Sequence, residues 1–176
     1  MKKKELIQIL LLSGIFFYVF HSLALVVWID GNSMYPTLHD HDAGVVSAIN
    51  INKEHIKRFD ILVLYDKKLD KNIVKRVIGL PGEIVTYKKD KLYIDGKYYQ
   101  EPYLNTQYIK EAKKKYNSNL FTQDFRATVD KGQLFVMGDN RLFSMDSRLL
   151  GTFSYKDVIG KRGIILYPLK NMQWLD

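Results

Sequence analysis

Asn72-Ile73-Val74-Lys75-Arg76-Val77-Ile78-Gly79-Leu80-Pro81-Gly82-Glu83 reads as a strand that runs into a turn. β-branched Ile73, Val74, Val77 and Ile78 favour the extended backbone, and the Pro81-Gly82 pair marks where it ends. Side chains alternate between the two faces of a strand, so Lys75 shares a face with Ile73 and Val77. Burial disfavours an ammonium and lowers the pKa of such a lysine from its ordinary value of about 10.4. The pattern leaves two readings open: an edge lysine whose head reaches water, or a neutral amine able to accept a proton near neutral pH.

Outward from this stretch the chain continues as short strands. Residues 43–48, 61–65 and 73–78 precede the turn, and 84–87, 91–94 and 97–99 follow it, with Asp95-Gly96 favouring a tight hairpin. Order resumes at 133–137, passes a Gly138-Asp139-Asn140 turn, and ends in an apolar strand over 163–167. Between Tyr103 and Thr128 the chain is polar with no helical or strand period, and it reads as an inserted excursion within a variable stretch at about 84–130. The 12 Tyr and 9 Phe fit a mostly β domain. The absence of Cys excludes a disulfide scaffold and any thiolate nucleophile or metal site.

The amino terminus sets the compartment. Lys2, Lys3 and Lys4 precede an apolar run from Leu6 to Ile29, broken only by Gln8, Ser13, Gly14, His21 and Ser22. As a helix, residues 6–29 would extend ~36 Å against a hydrocarbon core of roughly 30 Å. The reading is a cytoplasmic N-terminus (1–5), a single transmembrane anchor (6–29) and an extracytoplasmic catalytic domain (30–176) at the cell membrane, oriented by the lysines. Ser22-Leu23-Ala24 resembles a signal-peptide cleavage site, but the apolar run continues past it, which favours a retained anchor. The net charge of +8 suits an anionic membrane surface. It would also suit nucleic acid, but the basic run at Lys110, Lys113, Lys114 and Lys115 carries no nucleic-acid-binding signature and reads as a solvated face.

Chemistry-bearing residues fall in three places. Ser33, in Gly31-Asn32-Ser33-Met34-Tyr35-Pro36-Thr37-Leu38, lies just beyond the anchor on backbone unsuited to regular structure, where its hydroxyl and nearby N–H groups can stay free. Lys75 is a candidate base for it. Hydroxyls, carboxylates and arginines then crowd into Met137 to Arg148, which reads most simply as surface ion pairing, although a neutral lysine needs a partner to aim it. In Leu38-His39-Asp40-His41-Asp42, both histidines read as exposed turn residues; a metal would need a further ligand that nothing identifies.

Three stretches, Gly31 to Leu38, Lys75 to Glu83 and Gly138 to Arg148, together with the anchor, resemble in order and context the bacterial type I signal peptidases, over essentially the whole chain. The single anchor and short insertion resemble the smaller Gram-positive members. The resemblance implies a coiled antiparallel β-sheet fold shared with the self-cleaving repressor proteases, a serine-lysine dyad, and no metal or cofactor. It implies Ser33 as nucleophile and oxyanion-donating amide, Lys75 as general base, and Ser144 as the hydroxyl that helps orient the lysine. Asp139, Arg76, Asp146 and Arg148 are implied to form supporting ion pairs. Met34 is implied to influence the shallow pockets that accept small residues such as Ala one and three positions before the cut. The substrates implied are exported preproteins carrying signal peptides, cleaved beside membrane lipid, with no nucleic-acid partner; oligomeric state is not legible in the chain.

Two departures stand out. Gly31 falls where some members carry a second oxyanion-donating hydroxyl, and Leu142 and Phe143 replace the polar residues common before Ser144. If these distort the third motif, the alternative is a catalytically weak relative acting as a membrane-anchored binding protein. A repressor-type self-cleaving protease would bring a DNA-binding domain for which the chain has no room.

Overall fold

The computed structural model describes residues 3–48 and 56–175, with the side chains of 3 and 15–23 outside the described set. A helix α1 (Lys3–Leu23) leads directly into strand β1 (Ala24–Trp28). Thus the apolar run read as a continuous anchor to Ile29 ends as a helix at Leu23. Its last residues pair antiparallel with β2 (Ala43–Ser47), Val26 opposite Val45. An unbroken apolar sequence carries no period that separates a helix from a strand, and here the available partner edge of β2 decides. Among the described residues no helix is long and apolar enough to cross a membrane. Leu6, Ile7 and Leu10 to Leu12 on α1 are nevertheless exposed.

Strands β3 (Ile61–Asp66) and β4 (Lys71–Gly79) come next, followed by β5 (Ile84–Lys88), β6 (Lys91–Ile94) and β7 (Lys97–Tyr99). Helix α2 (Thr106–Lys115), β8 (Phe125–Thr128), β9 (Gln133–Met137), the single turn α3 (Ser147–Leu150), β10 (Phe153–Ser154), β11 (Val158–Tyr167) and β12 (Gln173–Leu175) complete the order. The large sheet runs β1-β2-β11-β3-β4-β9-β10 with β12 on β11, and the small one runs β7-β6-β5-β8. All the described pairings are antiparallel. The mostly β, antiparallel class expected from the sequence is the observed one.

The stretch 84–130 forms the small sheet and α2. Where an excursion without period was expected, Asn105 caps α2 by accepting the Tyr108 N–H at 2.8 Å. The helix is mostly polar, but Tyr108, Ile109 and Ala112 fall on one face at helical spacing and turn inward, with Ala112 buried, and packing of that face holds it. The hairpin at Asp95-Gly96 has both residues at positive φ, as a tight two-residue turn requires. Lys89-Asp90 makes a second such turn without a glycine, its geometry secured by Asp90, which accepts the N–H groups of Phe121 and Thr122 at 2.8 Å.

Three apolar clusters make up the core. One joins Val27, Met34, Leu38, Val46 and Ile165; a second joins Leu62, Leu64, Ile73, Val77 and Val136; the third lies under the small sheet around Val85, Tyr87, Leu92 and Met137. Gly44 and Gly163 face the neighbouring strand so closely that a Cβ would meet the backbone oxygens of Ile164 and Val45.

Candidate active site

Ser33 sits in the connection between β1 and β2. Ile29 N–H donates to Asp42 O at 2.8 Å and His41 N–H to Ile29 O at 2.9 Å, closing the base of that loop. Met34 and Leu38 are 1% and 0% exposed and pin its inner side to the core. The strand that ended the apolar run is therefore what places Ser33.

Lys75 lies in the middle of β4, opposite fully buried Leu62 on β3 and between Ile73 and Val77, as the alternation predicts. It is 3% exposed. Its Nζ donates to Ser33 Oγ at 2.7 Å and to Val74 O at 3.0 Å. Burial is the largest influence on this amine and, with Lys71 nearby, outweighs the attraction of Asp146 and Asp139, lowering its pKa from 10.5 to about 8. No carboxylate among the described residues forms an ion pair with it within 4 Å. An open cleft of about 280 Å3 in front of the pair is lined by Trp28, Ile29, Leu69, Val74, Phe143 and Met145, among others.

Arg76, Asp139, Arg148 and Asp146 form two ion pairs. Arg76 grips Asp139 through Nε and Nη2 at 2.8 and 2.7 Å, donates to Phe59 O, and lies 3.9 Å from the centre of the Tyr103 ring. Thr37, on the loop that carries Ser33, also donates to Asp139, at 2.5 Å. Arg148 grips Asp146 with two bonds of 2.8 Å, and Gly138 N–H donates to the same carboxylate at 3.0 Å. Burial alone would raise the Asp146 pKa, but these donors more than offset it and hold it below the usual value.

Ser144, Met34 and Gly31 each hold a defined place around the pair. Ser144 is buried and its hydroxyl has no hydrogen-bond partner among the described residues, although it is among the influences that hold the Asp146 carboxyl down; Lys75 donates to Val74 O. Gly138, beside it, has no room for a Cβ, which would meet both Ser144 Oγ and Ser33 O. Met34 borders the cleft from within the core and presents almost no surface. Gly31 has φ +91, and its N–H donates to Asp40 at 2.7 Å; glycine answers a backbone demand there, and that N–H is already engaged.

Leu142 and Phe143 leave the third motif in place. Leu142 is half-buried, while Phe143 reaches the cleft and packs on Tyr116 of the α2 end with ring centres 4.4 Å apart. The motif is held by Arg141, which sequence reading treated as surface pairing. Arg141 is fully enclosed, donating to Gly138 O, to Glu101 and to the hydroxyls of Tyr87, Tyr103 and Thr122. Its partners come from the small sheet and the segments beside it, which no local spacing could reveal.

His41 is exposed at positive φ, and the His39 ring packs edge-on against Tyr35. Among the described residues no three His, Cys, Asp or Glu side chains stand close enough to share a metal.

The family described as Signal peptidase, peptidase S26 matches residues 3–167. Signal peptidase I U of Bacillus subtilis (strain 168) is 42% identical over 146 residues, covering 82% of this chain and 76% of that protein. Signal peptidase I of Streptococcus pneumoniae serotype 4 is 37% identical over 193 residues, covering 93% and 89%. A crystal structure of a signal peptidase I from Enterococcus faecalis V583 superimposes with a TM-score of 0.51 at 38% identity, covering 60% of this chain and 95% of that one. With a family match spanning nearly its whole length and relatives this similar, the chain belongs to the signal peptidase family, peptidase S26, and is a serine endopeptidase of the type I kind.

Proposed function

We propose that this chain is a membrane-anchored endopeptidase that removes signal peptides from exported preproteins, with Ser33 as nucleophile and Lys75 as general base. The observation that carries the reading is the 2.7 Å approach of Lys75 Nζ to Ser33 Oγ inside a site where the amine is 3% exposed. With a pKa of about 8, an appreciable fraction of Lys75 is neutral at physiological pH and accepts the Ser33 proton as the hydroxyl attacks the scissile carbonyl. The C–N bond breaks, the ammonium returns its proton to the leaving amine, and the neutral amine then activates water against the acyl-enzyme. The Ser33 amide, for which no hydrogen bond is found among the described residues, serves as oxyanion donor. Asp146 and Asp139, each neutralised by an arginine, define the motif behind the dyad without capturing the lysine.

Anchoring rests on the apolar composition of residues 6–23 behind Lys2 to Lys4, with the N-terminus cytoplasmic and the catalytic domain outside. Exposed Trp28, Leu169 and Trp174 fit a domain that rests against lipid. Exported preproteins are the substrates because the site follows the anchor within ten residues and so works at the membrane face.

The test is cleavage of a preprotein by the full-length chain in detergent or vesicles. Ser33→Ala and Lys75→Ala each abolish it, and kcat/KM of the parent rises with pH to a plateau above about pH 8. Retained cleavage in either variant, or a profile flat between pH 6 and 9, removes the dyad.

A further inference from the structure

Both peptide groups that meet at the Ser33 Cα are held by one side chain's residue. Asn140, 4% exposed, donates its backbone N–H to Ser33 O at 3.0 Å and its side-chain Nδ2 to Asn32 O at 2.9 Å. Its Oδ1 in turn accepts the hydroxyl of Tyr108 at 3.0 Å. Tyr108 belongs to α2, the helix inside the stretch read from sequence as an irregular excursion, and its ring packs edge-on to Tyr35 of the nucleophile loop at 4.9 Å.

The geometry has a direct chemical meaning. In a trans peptide the C=O and the following N–H point in opposite directions, so a bond that fixes Asn32 O on one side aims the Ser33 N–H to the other. A bond that fixes Ser33 O sets the second plane, and the two together determine where the Cα–Cβ bond points, leaving only χ1, which the contact with Lys75 Nζ holds, to place Oγ. Catalytic groups need placement to within about half an ångström, and a misplacement of about 1 Å costs on the order of 100-fold in rate.

We propose that Asn140 and Tyr108 are positioning residues for Ser33: the α2 phenol locks the Asn140 amide, which orients both the nucleophile and its oxyanion-donating N–H. This rests on the reading of Ser33 as nucleophile. The small-sheet insertion then has a part in catalysis without touching substrate, delivered through one hydroxyl.

The experiment measures kcat, KM and melting temperature for full-length Tyr108→Phe, Asn140→Ala and the double variant on one preprotein. Phe keeps the ring contacts with Tyr35 and Phe121 and removes only the hydroxyl. Tyr108→Phe lowers kcat roughly three- to tenfold and Asn140→Ala on the order of 10- to 100-fold, with KM unchanged. The pH midpoint of kcat/KM stays where the parent has it, because Lys75 is untouched. In the double variant, loss of the Tyr108 hydroxyl adds nothing to the effect of Asn140→Ala. Parental kcat in Tyr108→Phe, or a double variant in which the two losses multiply, overturns the proposal. If Asn140→Ala does not fold, Tyr108→Phe alone decides on the same criterion. An active Ser33→Ala defeats the underlying dyad reading instead, whereas inactive Ser33→Ala with parental Tyr108→Phe defeats only the brace.

Discussion

Two cations lie buried on either side of the third motif, and they behave in opposite ways. Lys75, on the large sheet, is surrounded by Leu62, Ile73 and Val77 and among the described residues hydrogen-bonds a hydroxyl and one carbonyl. Arg141, facing the small sheet, is enclosed just as tightly but meets Glu101, three hydroxyls and a carbonyl. Burial lowers the pKa of both. For Lys75 it prevails, and the amine falls to about 8; for Arg141 the charges and hydrogen bonds of Tyr87, Glu101 and Tyr103 more than reverse it. Desolvation is therefore common to the two sites, and the presence of a carboxylate within reach separates an amine that loses its proton readily, the proposed base, from a strut.

That contrast can be broken most severely at the base. Lys75→Ala removes the proposed general base, and turnover is expected to fall by a factor on the order of 1,000 or more while the fold persists, measured by preprotein cleavage alongside the melting temperature. At the strut the damage falls on stability instead. Arg141→Met leaves Glu101 buried without its partner and costs about 3–5 kcal/mol, read from denaturant unfolding of the full chain; a loss under about 1 kcal/mol would show that Glu101 escapes to solvent and that the pair is not structural.

Lys75→Met sharpens the comparison by moving stability the other way. Because the folded pKa of about 8 lies below the unfolded 10.5, the unfolded chain binds more protons between those values. The parent therefore gains stability as pH rises through that window, and below about pH 8 it carries the full cost of burying the charge. The neutral isostere is expected to be more stable than the parent at pH 7 by up to about 3 kcal/mol, with the advantage fading toward pH 10.5. An advantage independent of pH would point to packing and not to charge. Smallest is Glu101→Gln, which keeps the shape and an acceptor but removes the charge opposite Arg141; it is expected to cost about 1–2 kcal/mol with kcat nearly intact. A large fall in kcat there would move Arg141 from the scaffold into the chemistry.

Much of the sheet was legible because alternation is a local property. Residues 61–65, 91–94, 97–99 and 133–137 appear as strands almost as read, and the placement of Lys75 beside Ile73 and Val77 follows from the period of two alone. The misreadings share a cause. Residues 24–28 are apolar without a period, so only the β2 edge distinguishes strand from helix; in α2 the inward face of Tyr108, Ile109 and Ala112 spans little more than one turn inside a polar segment, so its cap and its seat against the Ser33 loop settle what so short a period leaves open. In the site, Ser33, Lys75 and the flanking charges, proposed as the dyad and its support, were nameable from three motifs. Arg141 and Asn140 stood in plain view within one of them, but what they hold could not be read there.

The order of the motifs, the alternation of β4 and the chemistry available to each side chain were determined by the chain alone, since they depend on neighbours within a few residues. Bringing Ser33 to Lys75 across 42 positions, denying that lysine a carboxylate while giving Arg141 one, and engaging the Gly31 N–H with Asp40 were decided by the tertiary structure. Those are questions of which groups exclude water from which others, and desolvation acts through space, where the order of residues along the chain carries no information about distance.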